Sequence, residues 1–367
     1  MSSRGTLRSG VQSKVMATAG RKAGSLMVEV YRAARFTVLA AAFAAGCAGG
    51  PESAPDVRVT VTRRLMGMPW SITVHAASPA AGHAAIAAGF AEVARLERVL
   101  SDYDPDSELS RLSAQAPMGA AVAVSEDLWR VLHRAADLQA DTDGAFDITV
   151  GPLTSLWRQA RRTGVAPGTD RLAAARHAVG RQALELDADR RTVRLIQPGM
   201  RLDPGGIGAG YAADRAMEVL ERRGIAAALI DASGDVLVSA APPGAAGWRI
   251  AVAPAGTSAE DHVMLVHAAI TTSGDAYQAV EIGSQRHGHV IDPRTGQAVP
   301  GPAAVTVIAP DCTTADALAT AALVLGPEAG LRAVAGRPGC AARFTWKDGG
   351  AVRTAVTRSW PGVTADR

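Results

Sequence analysis

Asp316 and Thr320 lie four residues apart in "APDCTTADALATAALVLG", an Ala- and Leu-rich stretch from 309 to 326 that reads as a helix. That spacing stacks two hard oxygen donors on one helical face, and a carboxylate beside a hydroxyl suits Mg²⁺ or Ca²⁺. The same stretch fits a plainer role. Thr313 and Asp316 form T-x-x-D, the spacing that satisfies free amides at a helix start. Local spacing favours the cap, although the two roles are not exclusive. A second candidate is "RLDPGGIGAGYAADRAMEVLERRGIAAALIDASGD", where Gly205, Gly206, Gly208 and Gly210 separate an expected strand from an expected helix. Such a turn lets backbone amides approach a phosphate. Asp231 follows at about the distance seen in dinucleotide-binding units, but G-x-G-x-G is not G-x-G-x-x-G. A tight turn with no ligand stays open beside it.

Two further stretches carry reactive side chains. "RHGHVIDPRTG" places His287 and His289 on one face of a strand. Zinc would need a third ligand, and none stands nearby in sequence, so His289 reads better as a base or polar contact. "DGAFDITVGPLTSLW" sets Phe146 between acidic residues before a turn, where its ring either stacks on a ligand or packs. Cys312 and Cys340 lack zinc-ligand spacing, and both a disulfide and two buried thiols are open readings.

The elements that must position these residues follow from periodicity. "VRVTVTRRLMGMPWSITVHA" alternates as two strands around a turn, and "AAGHAAIAAGFAEVARLERVLS" repeats at helical spacing. "LSDYDPDSELSRLSA" is a polar loop entering a short helix. "SEDLWRVLHRAADLQADTDG" has helix start and stop signals at Ser125 and Gly144. Residues 161–200 are Arg-rich and weakly patterned, with a hairpin expected at "LELDADRRTVRLIQ". Beyond them, "GYAADRAMEVLERRGI" is helical and "AAALIDASGDVLVSA" is two strands broken at Ser233-Gly234. "WRIAVAP", "VMLVHAAITTSG", "YQAVEIG", "GHVID" and "AAVTVIAP" continue the strands, the second half carries two helices, and "AARFTWKDGGAVRTAVT" closes as a hairpin. Adjoining strands that outnumber the helices predict an α+β fold.

The first 46 residues stand apart. A basic stretch ending "YRAARF" precedes the 11-residue apolar run "FTVLAAAFAAG" and then Cys47. This resembles a lipoprotein signal peptide, with Ala45 and Gly46 before a Cys to be lipidated, although Ala44 stands where a larger aliphatic residue is usual. A cleaved signal with an incidental Cys is the alternative. The run is too short to span a bilayer as a helix. Of 38 basic and 35 acidic residues, the leader holds seven and one, leaving 31 and 34 and a net charge of −3. The excess of positive charge therefore belongs to the leader, and scattered Arg residues leave no nucleic-acid patch. The expected divisions are a signal peptide at 1–46, a lipidated tether at 47–56 and one catalytic domain at 57–360.

Taken in order, "MGMPWSITV", "LSDYDPDSELSRL", "GAFDITVGPLTSLW", "LDPGGIGAGYAADRA", "TSGD", "HVIDPRTG" and "VTVIAP…ADALAT" resemble the FAD:protein FMN transferase family, the ApbE-type flavin transferases. The resemblance runs from about Met66 to Leu325. It implies a T-fold-like α+β domain with FAD in a cleft and Mg²⁺ at the pyrophosphate. Matched to the family's motifs, Met66, Tyr103, Ala145, Phe146, Asp147 and Asp203 would contact FAD, and Val290 would line the flavin wall. Asp316, Thr320 and a main-chain oxygen of Gly206 would hold the metal, against the local preference for a cap. His289 would be the catalytic histidine, with Asp292 or Asp275 as its helper. Two positions depart from the family: Ala209 replaces a Lys or Glu, and Met68 replaces a Thr. The implied activity is Mg²⁺-dependent transfer of FMN from FAD to a Thr or Ser hydroxyl, releasing AMP. The acceptor would be an exported or membrane flavoprotein, such as a subunit of a redox complex, met by a lipid-anchored enzyme outside the cytoplasm. An Mg²⁺-dependent FAD pyrophosphatase and a non-catalytic FAD-binding lipoprotein are the alternatives.

Overall fold

Strict alternation in residues 57–76 closes as a hairpin, β1 (Val57–Leu65) and β2 (Met68–Ala76). Its two-residue turn, Met66-Gly67, has φ of 49° and 75°, and positive φ at both positions matches the twist of the flanking strands. The computed structural model describes residues 56–252, 261–274, 280–282 and 285–362. The leader, Cys47, the tether up to residue 55 and Asp275 lie outside these residues.

α1 (Pro79–Leu100) starts at Ser78, whose hydroxyl accepts the Ala81 amide, with Pro79 pre-set in its first turn. Ile86, Phe90, Val93, Leu96 and Leu100 are buried on one face, each contributing about 1.5–3 kcal/mol by leaving water. α2 (Glu108–Ser113) and the short β3 (Val122–Ala123) lead to α3 (Glu126–Asp141), capped by Ser125 as expected. Next come α4 (Gly151–Thr163) and α5 (Thr169–His177), two helices that the weak pattern did not announce. α5 buries none of its residues, so it has no apolar stripe to read. β4 (Leu184–Asp187) and β5 (Thr192–Leu195) form the expected hairpin and pair with β3 in a small sheet.

α6 (Gly208–Arg222) follows the glycine turn, then β6 (Ala228–Ala232) and β7 (Asp235–Val238), folded back at Ser233-Gly234. β8 (Trp248–Val252) and β9 (Asp261–Leu265) form a separate ribbon. "VMLVHAAITTSG" is two strands rather than one. His267, at φ 47°, turns the chain between β9 and β10 (Ala268–Gly274). β11 (Val280–Ile282) pairs with β12 (Gln285–His287). "GHVID" forms no ladder strand: Ile291 makes one isolated bridge to Ala298 before the turn at Pro293. The chain ends with β13 (Ala303–Ala309), α7 (Cys312–Leu325), α8 (Pro327–Ala335), and the expected hairpin of β14 (Ala341–Asp348) and β15 (Ala351–Val356).

The main sheet has eight antiparallel strands in the order β1-β2-β6-β7-β10-β13-β14-β15. α1, α6, α7 and α8 cover one face, each packed on the next. Period-two alternation sends Leu237, Ala269 and Val307 toward these helices and Val236, Ile270 and Ile308 toward the β8–β9 ribbon. The α+β expectation therefore holds, with the third helix of the second half, α8, unread in sequence.

Candidate active site

The start of α7 is capped twice, and by neither residue of the T-x-x-D. Asp311 accepts the Thr314 amide at 2.7 Å and the Thr314 hydroxyl at 2.9 Å. Asp214 of α6 accepts the Cys312 amide at 2.8 Å, the Thr313 amide at 2.9 Å and the Thr313 hydroxyl at 2.5 Å. The local preference for Asp316 as a cap is thus corrected: the first-turn amides already have partners, and Asp316 begins the second turn.

Asp316 is 6% exposed. Among the described residues its one hydrogen-bond donor is the Gly210 amide, at a long 3.3 Å. Burial pushes its carboxyl well above the usual range, the nearby Asp235 pushes it further, and the Gly210 amide opposes both. Asp235 itself is pushed up to about 7, by burial first and then by Asp231. One turn along α7, the Thr320 hydroxyl lies 3.3 Å from that of Ser273 at the end of β10. The glycine turn closes on the same spot. A Cβ at Gly206 would stand 2.7 Å from the Thr320 hydroxyl oxygen, which only glycine avoids. Gly210 meets the backbone of Cys312 in the same way, at 2.4 Å from its carbonyl oxygen. Asp316, Thr320 and Gly206 therefore converge as expected from the sequence. A sealed carboxylate with no cationic partner among the described residues, beside a hydroxyl and a backbone turn, is a donor set fitted to a hard divalent cation. Among the described residues no cluster of three His, Cys, Asp or Glu side chains is arranged for a metal, so zinc at the two histidines gains no support.

A second group of residues gathers around Asp203. Its carboxylate accepts the Gly205 amide at 2.9 Å, the Thr154 hydroxyl at 2.6 Å and Arg158 Nη2 at 2.8 Å. Arg158 also pairs with Asp102, and its guanidinium carbon sits 4.5 Å from the centre of the Tyr103 ring. Tyr103 is 75% exposed, an unusual position for a large aromatic ring. Burial raises the Asp102 carboxyl, Asp203 adds to the rise, and Arg158 counters it.

The "GAFD" residues are less open. Ala145 and Phe146 are buried, and Phe146 packs in the main core. Asp147 accepts the Thr149 amide at 2.8 Å, the Thr149 hydroxyl at 2.7 Å and a Gln139 side-chain amide, so its carboxylate braces its own loop. Met66 sits half-buried in the β1–β2 turn, against the core. Val290 shares a shallow apolar recess with Leu323, Val299 and Ala303, which sets the His289 loop beside α7 one turn past Thr320. His287 packs on Trp157, ring centres 4.9 Å apart. Asp292 accepts two side-chain bonds of 2.9 Å from Arg294. Ala209 is buried in the first turn of α6. Cys312 and Cys340 are free, buried thiols. Sequence reading missed Arg158, Asp102, Asp214 and Asp235. Asp102 and Asp214 lie inside family motifs and Arg158 directly follows one, whereas Asp235 stands outside them.

Comparison with known proteins gives the family and the fold. The ApbE family pattern matches residues 66–344. The chain is 32% identical over 295 residues to the FAD:protein FMN transferase of Klebsiella pneumoniae, covering 77% of this chain and 83% of that protein. The Escherichia coli K12 protein of the same name is 32% identical over 268 residues, covering 70% and 75%. The apo flavinyl transferase ApbE of Pseudomonas stutzeri superposes with a TM-score of 0.74 at 31% identity, covering 83% and 96%. The Vibrio cholerae flavin transferase ApbE superposes with a TM-score of 0.75 at 27% identity, covering 83% and 98%. With its family pattern spanning most of the sequence and its α+β fold matched over nearly the whole of those structures, this chain belongs to the ApbE family.

Proposed function

We propose that this protein transfers FMN from FAD to a Thr or Ser hydroxyl of a flavoprotein, releasing AMP. The observation that carries the reading is the closure of the glycine turn on α7, with Gly206 against Thr320 and the sealed Asp316 one turn away. Asp316, Thr320 and the Gly206 main chain would hold Mg²⁺. Bound there, the cation would neutralise charge on the nucleotide's diphosphate, which is most of what such a transfer requires.

The chain's own residues supply the rest. The Gly205, Ile207, Gly208 and Gly210 amides donate to Asp203, the Pro204 carbonyl and Asp316, so the remaining amides at the head of α6 would take charge from an anionic substrate. Asp203 and Tyr103 would position the dinucleotide, and Val290 would bound the flavin. His289 would accept the proton of the acceptor hydroxyl as its oxygen bonds to the FMN phosphorus and the phosphorus–oxygen bond to AMP breaks. The leader supports an exported lipoprotein anchored through Cys47, which would confine enzyme and acceptor to one membrane surface. No helix of the described residues is long and apolar enough to cross a membrane.

The test is to incubate the leaderless protein with FAD, Mg²⁺ and a Thr-bearing acceptor peptide. Gain of one FMN mass on the peptide, with AMP in equal amount, is expected. AMP and FMN released without peptide labelling would make the protein a pyrophosphatase, and bound FAD with no turnover would make it a binding protein.

A further inference from the structure

We propose that Arg158 is a positioning residue of the nucleotide site, holding the Tyr103 ring as a stacking platform and locking it to Asp203. The proposal rests on the flavin-nucleotide reading above and adds to it a residue that no motif marks.

One guanidinium joins three segments remote in sequence. Arg158 projects from α4 with 26% of its side chain exposed. One edge pairs with the buried Asp102, directly before Tyr103, and the other donates to Asp203 at 2.8 Å. Its guanidinium carbon lies over the Tyr103 ring, 4.5 Å from the ring centre. Arg201 secures the same loop, donating from Nη2 to the Asp102 carbonyl at 2.5 Å. Tyr103 therefore has one face covered by a cation and keeps 75% of its surface in solvent. Among the described residues no second ring or cation stacks on it. An aromatic ring braced from behind and open in front suits a planar heteroaromatic ring, and FAD offers two, the isoalloxazine and the adenine. In this arrangement Arg158 would act through Tyr103, Asp102 and Asp203. It fixes where the platform stands relative to the glycine turn, and Asp203 hands that position on through the Gly205 amide.

Lysine cannot replace it fully. An ammonium reaches one carboxylate as a point charge, whereas the fork spans two and presents a flat face. Arg158→Met should weaken FAD binding, read by quenching of flavin fluorescence, about tenfold, with Arg158→Lys between it and wild type. KM for FAD should rise by the same factor while kcat stays within about twofold, since only positioning before the reaction is lost. In a Tyr103→Leu background, Arg158→Met should cost less than half as much, because the two act together. Competition by FMN and by ADP separates the two rings: the ligand that loses affinity in Arg158→Met is the one on the platform. Hydrogen exchange at residues 101–107 should be faster in Arg158→Met, a readout that needs no nucleotide.

Unchanged FAD affinity in an Arg158→Met protein of wild-type melting temperature overturns the proposal, as does a fall in kcat at constant KM. Should Arg158→Met not fold, Arg158→Lys decides on the same readouts. A wild-type protein that binds no flavin defeats the proposed function instead, and unchanged exchange at 101–107 then defeats the role of Arg158 separately.

Discussion

A carboxylate held out of water beside a second acid, with one long bond to an amide, is costly unless a cation joins it. Asp316 is in that position. Asp316→Asn should lower FMN transfer at least about 100-fold, the scale of lost charge stabilisation at a reacting centre. It should also abolish the Mg²⁺-induced rise in melting temperature, without lowering the stability of the metal-free protein. A metal-free variant that melts well below wild type would instead make Asp316 a structural acid. Gly206→Ala tests the same spot by crowding, because its Cβ would stand 2.7 Å from the Thr320 oxygen and 3.1 Å from both its carbons. Thr320 would have to turn away, so transfer should fall at least about tenfold with the fold kept, by loss of one ligand. Wild-type Mg²⁺ affinity in Gly206→Ala would remove Thr320 from the site. The pair was legible because spacing of four is a local property of a helix. Its competition with the cap was not, because the groups that cap α7 include Asp214, 98 residues from Cys312. Arg158 was hidden for a similar reason: on an Arg-rich helix it looks like part of a solvated face, and only its distant carboxylates distinguish it.

At the scale of elements, the site exists because α6 and α7 meet backbone to backbone. A Cβ at Gly210 would lie 2.4 Å from the Cys312 carbonyl oxygen and 2.9 Å from the Thr313 Cα, atoms that cannot rotate away. Gly210→Ala should therefore cost about 3 kcal/mol in a denaturant melt, at the upper end for overpacking, despite alanine's better helix propensity. A change below about 0.5 kcal/mol, as expected of a surface site, would show that the two helices can slide apart. The hairpins were readable because strand alternation and turn residues agree, as at Met66-Gly67 and Ser233-Gly234. Three features besides α4 were not. α5 buries nothing, α8 is nine residues long, and the run after His289 has strand-like residues but bends at Asp292, where Gly296 donates back to its carbonyl at 2.8 Å. In each case hydrophobic periodicity is too short or too weak to mark the conformation. The same bend sets His289 apart from a sheet and close to α7, and His289→Ala should abolish labelling of the acceptor while leaving FAD binding within about twofold, as for a proton acceptor acting in the transition state.

Across the whole molecule, packing takes several acids largely out of water, and stability must respond to pH. Asp214 gives the clearest case. Burial pushes its carboxyl from 3.8 up to about 6, even though two amides and a hydroxyl of α7 donate to it and favour the charge. Desolvation therefore outweighs the hydrogen bonds. A folded-state pKa above the unfolded one means that the native protein holds the proton more tightly. The resulting stabilisation is complete below about pH 4 and is lost as pH rises through about 6. From pH 5 to pH 8 that single group should cost about 1 kcal/mol of stability. Asp214→Asn cannot titrate, so its denaturant midpoint should fall less than that of wild type over this range, with both proteins held in a metal chelator. At low pH, where Asp214 is protonated, the two proteins should differ least in how they accept the bonds at the head of α7, since acid and amide each keep one good acceptor oxygen. Curves for the two proteins that run parallel from pH 5 to pH 8 would mean that the three donors hold Asp214 ionised throughout, and that the start of α7 is a stronger anion site than its burial allows.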